Sequence, residues 1–243
     1  MSIPTGNLIN YWRVDELTGE LIDVLAAHNL TNFSGVLGLS GKFSKAVQLY
    51  PGSSLKNAAW TTNPSAVSVS MWVYLNYANG AWAAGDADLI QLEGAPFKLK
   101  LNHTGTSDDG YLVGTYELDG GSTASRISSS IVPKGAWVHI GMTYIYAFGW
   151  TRIFINGAST GSSAQQPPRN ISYASSTSSL KIGGNLTGIV DDIAIFNAAL
   201  TDAQFGEIYA LGAPIIAPPA YPVNLESVSA PIFRSGAIIS GTF

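Results

Sequence analysis

The chain holds 243 residues, with 12 basic and 16 acidic side chains, a formal charge of −4, 46% hydrophobic residues and no cysteine. That hydrophobic share supplies a core and excludes wholesale disorder. The acidic balance argues against a surface that grips many phosphates, and the lack of cysteine removes disulfides, thiol nucleophiles and zinc–thiolate sites.

Only 12% of the residues are charged, about half the usual share, so hydroxyls, amides or a bound partner must meet the solvent. Met1–Gly6 has neither a basic nor an apolar leader region, and no run reaches the roughly 18 apolar residues of a membrane span. Synthesis in a cytoplasm without a secretory signal is the expectation.

Period-two alternation then dominates and predicts half-buried strands. In Val67–Leu75 one face carries Val67, Val69, Met71, Val73 and Leu75, the other Ser68, Ser70, Trp72 and Tyr74. Further strands are predicted over Phe97–Asn102, Tyr111–Leu118, Trp137–Tyr146, Thr151–Asn156, Leu180–Ile182 and Ile189–Phe196. Turn chemistry separates them: Asp108-Asp109-Gly110, Asp119-Gly120-Gly121, Pro133-Lys134-Gly135, Asn156-Gly157 and Gly183-Gly184-Asn185. Asn-Gly after an apolar strand signals a type I′ hairpin. Many short strands with almost no helix give an all-β, two-sheet sandwich or jelly roll.

One short helix is predicted. Thr201-Asp202-Ala203-Gln204 is a capping box, Leu200 can staple against Phe205, and Phe205, Ile208 and Tyr209 form one stripe that Gly212 and Pro214 terminate. The helix is expected to pack beside the sheets.

Residues 213–243 differ in composition: five of the 12 prolines, with Glu226 and Arg234 the sole charged side chains. The segment is nonetheless apolar, unlike a solvated linker. It reads as an extended C-terminal arm, either wrapped on its own domain or docked on a neighbouring subunit. The residues expected at such a partner are Ile215, Ile216, Tyr221, Leu225, Ile232, Phe233, Ile238, Ile239 and Phe243.

Several motifs occur in a familiar order. They are Tyr11-Trp12-Arg13-Val14-Asp15-Glu16, Gly41-Lys42-Phe43-Ser44-Lys45-Ala46-Val47, Val69-Ser70-Met71-Trp72-Val73 and Trp137-Val138-His139. Ile153-Phe154-Ile155-Asn156-Gly157, Ile182-Gly183-Gly184 and Gly188-Ile189-Val190-Asp191-Asp192-Ile193-Ala194-Ile195-Phe196 follow. Together they resemble the concanavalin A-like superfamily, specifically the laminin-G-like, pentraxin-related domains of phage and bacterial surface proteins. The resemblance spans roughly residues 7–212, implies a concanavalin A-like jelly roll over 1–212, and leaves 213–243 outside it.

That superfamily includes glycoside hydrolases, some with a Glu-x-Asp-x-x-Glu strand. Glu117-Leu118-Asp119 begins the pattern, but Gly120-Gly121-Ser122 follows, so solvated turn carboxylates are the better reading. His28, His103 and His139 are isolated in sequence, and His139 reads as a hydrogen-bonded structural residue. No catalytic residue is assigned.

The resemblance also implies that the N-terminal motif and the late strand meet, which makes a structural Ca²⁺ a candidate cofactor, with Asp23 and Asp191 as ligands. Alternation puts Asp191 on one face with Ile189, Ile193 and Ile195, half-burying it, and Arg13 or backbone amides could replace the cation.

For sugar contact, flat aromatics beside amides or carboxylates are needed. Two loops fit: Asn76–Asp86, with Tyr77, Trp82 and Asp86, and Tyr146–Trp150, with Tyr146 and Trp150 at its ends. Trp12, Trp60, Trp72 and Trp137 read as core or edge packing.

The combined expectation is a non-catalytic virion-surface, decoration or adhesion protein, most fitting for a phage. Its lectin-like sandwich would be displayed on an assembly through the C-terminal arm and would be a candidate for binding surface glycans. A free-standing carbohydrate-binding module and a glycoside hydrolase of the same fold are the alternatives. Nucleic acid and a membrane span are not expected.

Overall fold

The computed structural model describes residues 5–76, 85–94, 96–102, 110–161, 167–174, 176–177 and 179–216. Two antiparallel sheets face each other. The first contains β1 (Leu8–Trp12), β3 (Val36–Ser40), β4 (Lys45–Leu49), β6 (Ser68–Leu75), β11 (Trp137–Ile145), β12 (Trp150–Ile155), β13 (Ala158–Thr160) and β15 (Gly188–Phe196). The second contains β2 (Thr31–Phe33), β5 (Ser54–Asn57), β7 (Ala87–Leu92), β8 (Phe97–Leu101), β9 (Tyr111–Leu118), β10 (Ser122–Ile131) and β14 (Leu180–Ile182). The strand orders are β13-β12-β11-β6-β15-β4-β3, with β1 added on β15, and β10-β9-β8-β7-β14-β5-β2.

This is the expected jelly-roll sandwich. All seven predicted strands are present within a residue of their expected ends. The Asn-Gly hairpin also forms: Asn156 and Gly157 have φ of 50° and 75° between β12 and β13, the pair of positive values a type I′ turn requires.

Between the sheets lies one core, built on the first sheet from Val69, Met71, Val73, Ile140, Met142 and Ile153 and on the second from Ile90, Phe97, Leu99, Leu112, Tyr116 and Ile182. The outer face of β6 is also closed, because the helix α1 (Asp202–Ala210) lies across that sheet and not beside it. Phe205 of α1 stacks on Phe154 at 3.8 Å, and Tyr209 stacks on Trp72 at 5.8 Å.

With Leu8, Tyr11, Ala194, Phe196, Leu200 and Ile208, the residues Phe154 and Phe205 form a second apolar cluster. Burying Phe205 and Ile208 contributes about 1.5–3 kcal/mol each. Ser68, buried under this cover, is fully hydrogen-bonded. The Ser68 hydroxyl donates to the Ala198 carbonyl at 2.6 Å, accepts from the Leu200 amide at 2.9 Å, and lies 2.7 Å from Thr143 Oγ1. The expected capping box is present at Thr201 and Gln204.

Strand β15 departs from simple alternation. Asp191 pairs with Trp72 and Ala194 with Ser70, so one extra residue is inserted, and Asp192 takes a left-handed φ of 51°. Val190, Ile193 and Ile195 belong to the inter-sheet core, whereas Asp191 stands opposite Trp72 on the outer face. The expectation that Asp191 shares a face with Ile193 and Ile195 is therefore corrected: the bulge reverses the phase between them. The bulge is also where β15 changes neighbour, leaving β4 after Val190 and taking up β1 from Ile193.

Three ion pairs lie on or beside the second sheet: Lys56 meets Glu93 at 2.9 Å, Lys98 meets Asp88 at 2.6 Å, and Lys100 pairs with Asp86. At the start of the arm, Ile215 and Ile216 pack against the chain's own second cluster. Tyr221, Leu225, Ile232, Phe233, Ile238, Ile239 and Phe243 lie outside the described residues.

Candidate functional site

Where edge strand β10 of the second sheet meets β12 and β13 of the first, side chains stitch the two sheets together. Thr151 Oγ1 donates to the Ala124 carbonyl at 3.0 Å, and Thr160 Oγ1 accepts from the Ser129 amide at 3.0 Å. A cleft of about 250 Å³ opens on this seam, lined by Arg126, Trp150, Thr151, Arg152, Ser159, Gly161 and Asp202.

The local sequence explains the lining. Trp150, Arg152 and Phe154 alternate on the outer face of β12. The helix covers Phe154 and leaves the other two at its N-terminal edge, where Asp202 pairs with Arg152. The Arg152 guanidinium also lies 5.5 Å from the Trp150 ring centre, a cation–π contact.

An aromatic platform borders the cleft. A 3₁₀ turn, Tyr146–Phe148, leads through Gly149 into β12 and stacks Phe148 on Trp150 at 4.7 Å and 29°. Tyr146 and Phe148 remain 48% and 45% exposed. The buried Trp150 indole N–H has no hydrogen-bond partner among the described residues. Of the residues expected to contact sugar, Tyr146 and Trp150 thus fall at one site.

Asp86 immediately precedes β7 of the other sheet and pairs with Lys100, while Tyr77 and Trp82 lie outside the described residues. Arg126, Arg152 and Phe148 were not anticipated individually as site residues. Phe148 lies inside the predicted loop, whereas Arg126 sits in a strand of mixed Ser and Ile that shows no clean alternation.

A larger cleft, about 410 Å³, lies among Glu20, Ile22, Ala26, Ala27, Asn29, Thr31, Lys56, Asn57 and Ala58 and has no aromatic wall. Trp12 and Trp60 are buried with indoles bonded to the His28 and Thr62 carbonyls, and Trp72 is buried under Tyr209. Trp137 packs edge-on against Tyr74.

His139 is fully buried, 2.8 Å from Ser70 Oγ, and burial pushes its pKa down to about 3, so it is neutral. It is the structural histidine its context suggests. His28 stacks on Trp60, and His103 lies outside the described residues. Asp119 is exposed in the turn between β9 and β10.

The two carboxylates considered for Ca²⁺ are held by amides. Asp23 Oδ1 accepts from the Tyr11 and Leu25 amides, each at 3.0 Å. Its Oδ2 accepts from Asn10 Nδ2 at 2.6 Å and the His28 amide at 3.0 Å. Asp191 Oδ2 accepts from the Lys42 and Phe43 amides at 2.7 and 3.2 Å and so closes the β3–β4 turn. Four N–H groups aimed at one carboxylate occupy the lone pairs a hard cation would need. Asp23 is engaged in this way, whereas Asp191 accepts two amides on Oδ2, and among the described residues no three His, Asp or Glu side chains gather to hold a metal.

Burial, reinforced by neighbouring carboxylates, raises Asp191 to about 7 and Asp192 to about 8. The Tyr11 hydroxyl donates to Asp192.

Residues 46–205 match the family model of the concanavalin A-like lectin/glucanases superfamily. The chain belongs to that superfamily. Solved structures of similar fold include the binding domain of Paraclostridial mosquitocidal protein 1, with TM-score 0.64 and 18% identity over 84% of this chain and 52% of that one. Domain 4 of AbnA, a GH43 extracellular arabinanase from Geobacillus stearothermophilus, in complex with arabinotriose, gives 0.61 and 18% over 84% and 98%.

The botulinum neurotoxin serotype D ligand binding domain in complex with N-acetylneuraminic acid gives 0.60 and 14% over 84% and 50%. The chain spans about half the length of the toxin domains it matches. At these identities the likeness shows the fold alone. No curated protein matches the sequence.

Proposed function

We propose that this chain is a non-catalytic recognition module whose seam cleft and aromatic platform contact a carbohydrate. The observation that carries this reading is Phe148, nearly half exposed and stacked on Trp150 at the mouth of a cleft lined by arginine and hydroxyl donors. Holding apolar rings in water is unfavourable unless something covers them, and the C–H face of a sugar does so while its hydroxyls reach the donors. The sugar-bound domains of the arabinanase and the serotype D toxin support glycan as the ligand class. A glycan array tests it: Phe148→Ala and Trp150→Ala should each abolish the signal of the full chain, and binding that survives both changes would clear the platform.

A second role is supported by composition. The apolar, proline-rich residues 213–243 suit attachment to a larger assembly, with the sandwich displayed outward as a decoration or adhesion domain, as on a virion surface. The two roles are compatible, since the cleft and the arm are separate parts of the chain.

A further inference from the structure

Arg126 is unlike the other cations of this cleft. It sits on β10 in phase with buried Ala124 and Ser128, so it leans into the seam and not away from it. Gly161 makes room for it: a Cβ there would come within 2.2 Å of Arg126 Nη2 and 2.7 Å of the Ile127 carbonyl. Burial pulls its pKa below the ordinary guanidinium value, yet an arginine stays charged at neutral pH. Among the described residues its guanidinium has neither an ion pair nor a hydrogen bond. Arg152, by contrast, is already committed to Asp202 and to the Trp150 ring.

A partly desolvated cation without a counter-charge is unfavourable, and an anionic group on a ligand would offset that cost. The planar, forked guanidinium matches a carboxylate through two parallel hydrogen bonds. The cleft's volume, about 250 Å³, is small beside drug-sized pockets of roughly 300–1,000 Å³, which suits a single sugar unit. We propose that the cleft selects a glycan bearing a carboxylate, a uronate or nonulosonate sugar, with the carboxylate on Arg126 and the ring toward the Phe148–Trp150 platform. This rests on the reading of the cleft as a sugar site and adds its charge preference.

The test uses the full chain, with trigalacturonate and sialyllactose as probes, each beside its carboxyl-reduced, neutral form, in calorimetric titrations. At least one acid should bind about tenfold or more tighter than its reduced form, the scale of a charge-assisted hydrogen bond, and added salt should narrow the gap. Arg126→Gln should remove the preference by weakening the acid far more than its reduced form, while Arg126→Lys should keep part of it. A melting curve like that of the parent shows that each variant is folded.

Equal affinity for an acid and its reduced form, a preference that survives Arg126→Gln, or no binding of either acid would overturn the proposal. Where reduced sugars bind and Trp150→Ala abolishes that binding, the sugar site stands and only the role of Arg126 falls. Where Trp150→Ala and Phe148→Ala leave all binding intact, the sugar site itself falls.

Discussion

Asp23 anchors the N-terminal segment to β1, and its removal gives a measurable cost. The carboxylate accepts four N–H groups, two on each oxygen, from Tyr11, Leu25, Asn10 and His28. Asp23→Asn is nearly isosteric but replaces one acceptor oxygen with a donor, so two of the four N–H groups face an NH₂. The best rearrangement turns Asn10, whose buried Oδ1 has no partner among the described residues, to accept from the new amide, which leaves one main-chain N–H orphaned.

An unsatisfied buried donor costs about 1–3 kcal/mol, and a domain of this size loses roughly 2–4 °C per kcal/mol, so Tm should fall by about 2–12 °C. Asp23→Ala orphans all four donors, a cost of about 4–12 kcal/mol that rivals a typical total stability of roughly 5–15 kcal/mol, and should prevent folding. The assay is circular-dichroism melting in EDTA and in added Ca²⁺. Because amides neutralise the carboxylate, EDTA should leave the parent's Tm unchanged. An Asp23→Asn protein that melts with the parent, or a parent destabilised by EDTA, would refute the reasoning.

Further outcomes are expected. Asp191 and Asp192 hold protons in the folded state up to about pH 7 and 8, against 3.8 ordinarily. The folded chain therefore binds more protons than the unfolded one across that window, and stability should fall as pH rises from about 4 to about 8 and level off above. Asp192→Asn, which imitates the protonated form, should flatten much of that slope in melts across the range. Gly141→Ala would put a Cβ 2.3 Å from the Phe205 ring and 2.8 Å from the Val69 carbonyl, so α1 must lift, at about 1–3 kcal/mol, read as a lower Tm. Ending the chain after Gly212 strips Ile215 and Ile216 from the second cluster and should lower Tm relative to a chain ended after Ile216. In sedimentation, the arm reading expects association of the full chain and none of the chain ended after Ile216.

Much of this fold is written locally. Alternating apolar residues in Tyr111–Leu118, the Asn156-Gly157 turn and the Thr201–Gln204 capping box each act within a few residues, and all three form as read. Burial on both faces of β6 could not be read this way, because Ser68 and Ser70 are hidden by a helix more than a hundred residues along the chain. The reversal at Asp191 and Asp192 turns on one residue's left-handed backbone, which a two-residue period does not register. The site was half legible for the same reason. Tyr146 and Trp150 stand in one conspicuous loop, but Arg126 joins them only because two sheet edges meet, and nothing in Ser122–Ile131 marks that meeting.

The most direct measurement of the sugar-site claim follows the tryptophan indole N–H signals by NMR during titration with a glycan that binds. Trp12 and Trp60 have their indoles bonded to backbone carbonyls, whereas that of Trp150 has no partner among the described residues. The Trp150 signal should shift progressively to saturation while those of Trp12 and Trp60 stay in place. A bound glycan that leaves the Trp150 signal unmoved would place recognition elsewhere on the domain and contradict this account.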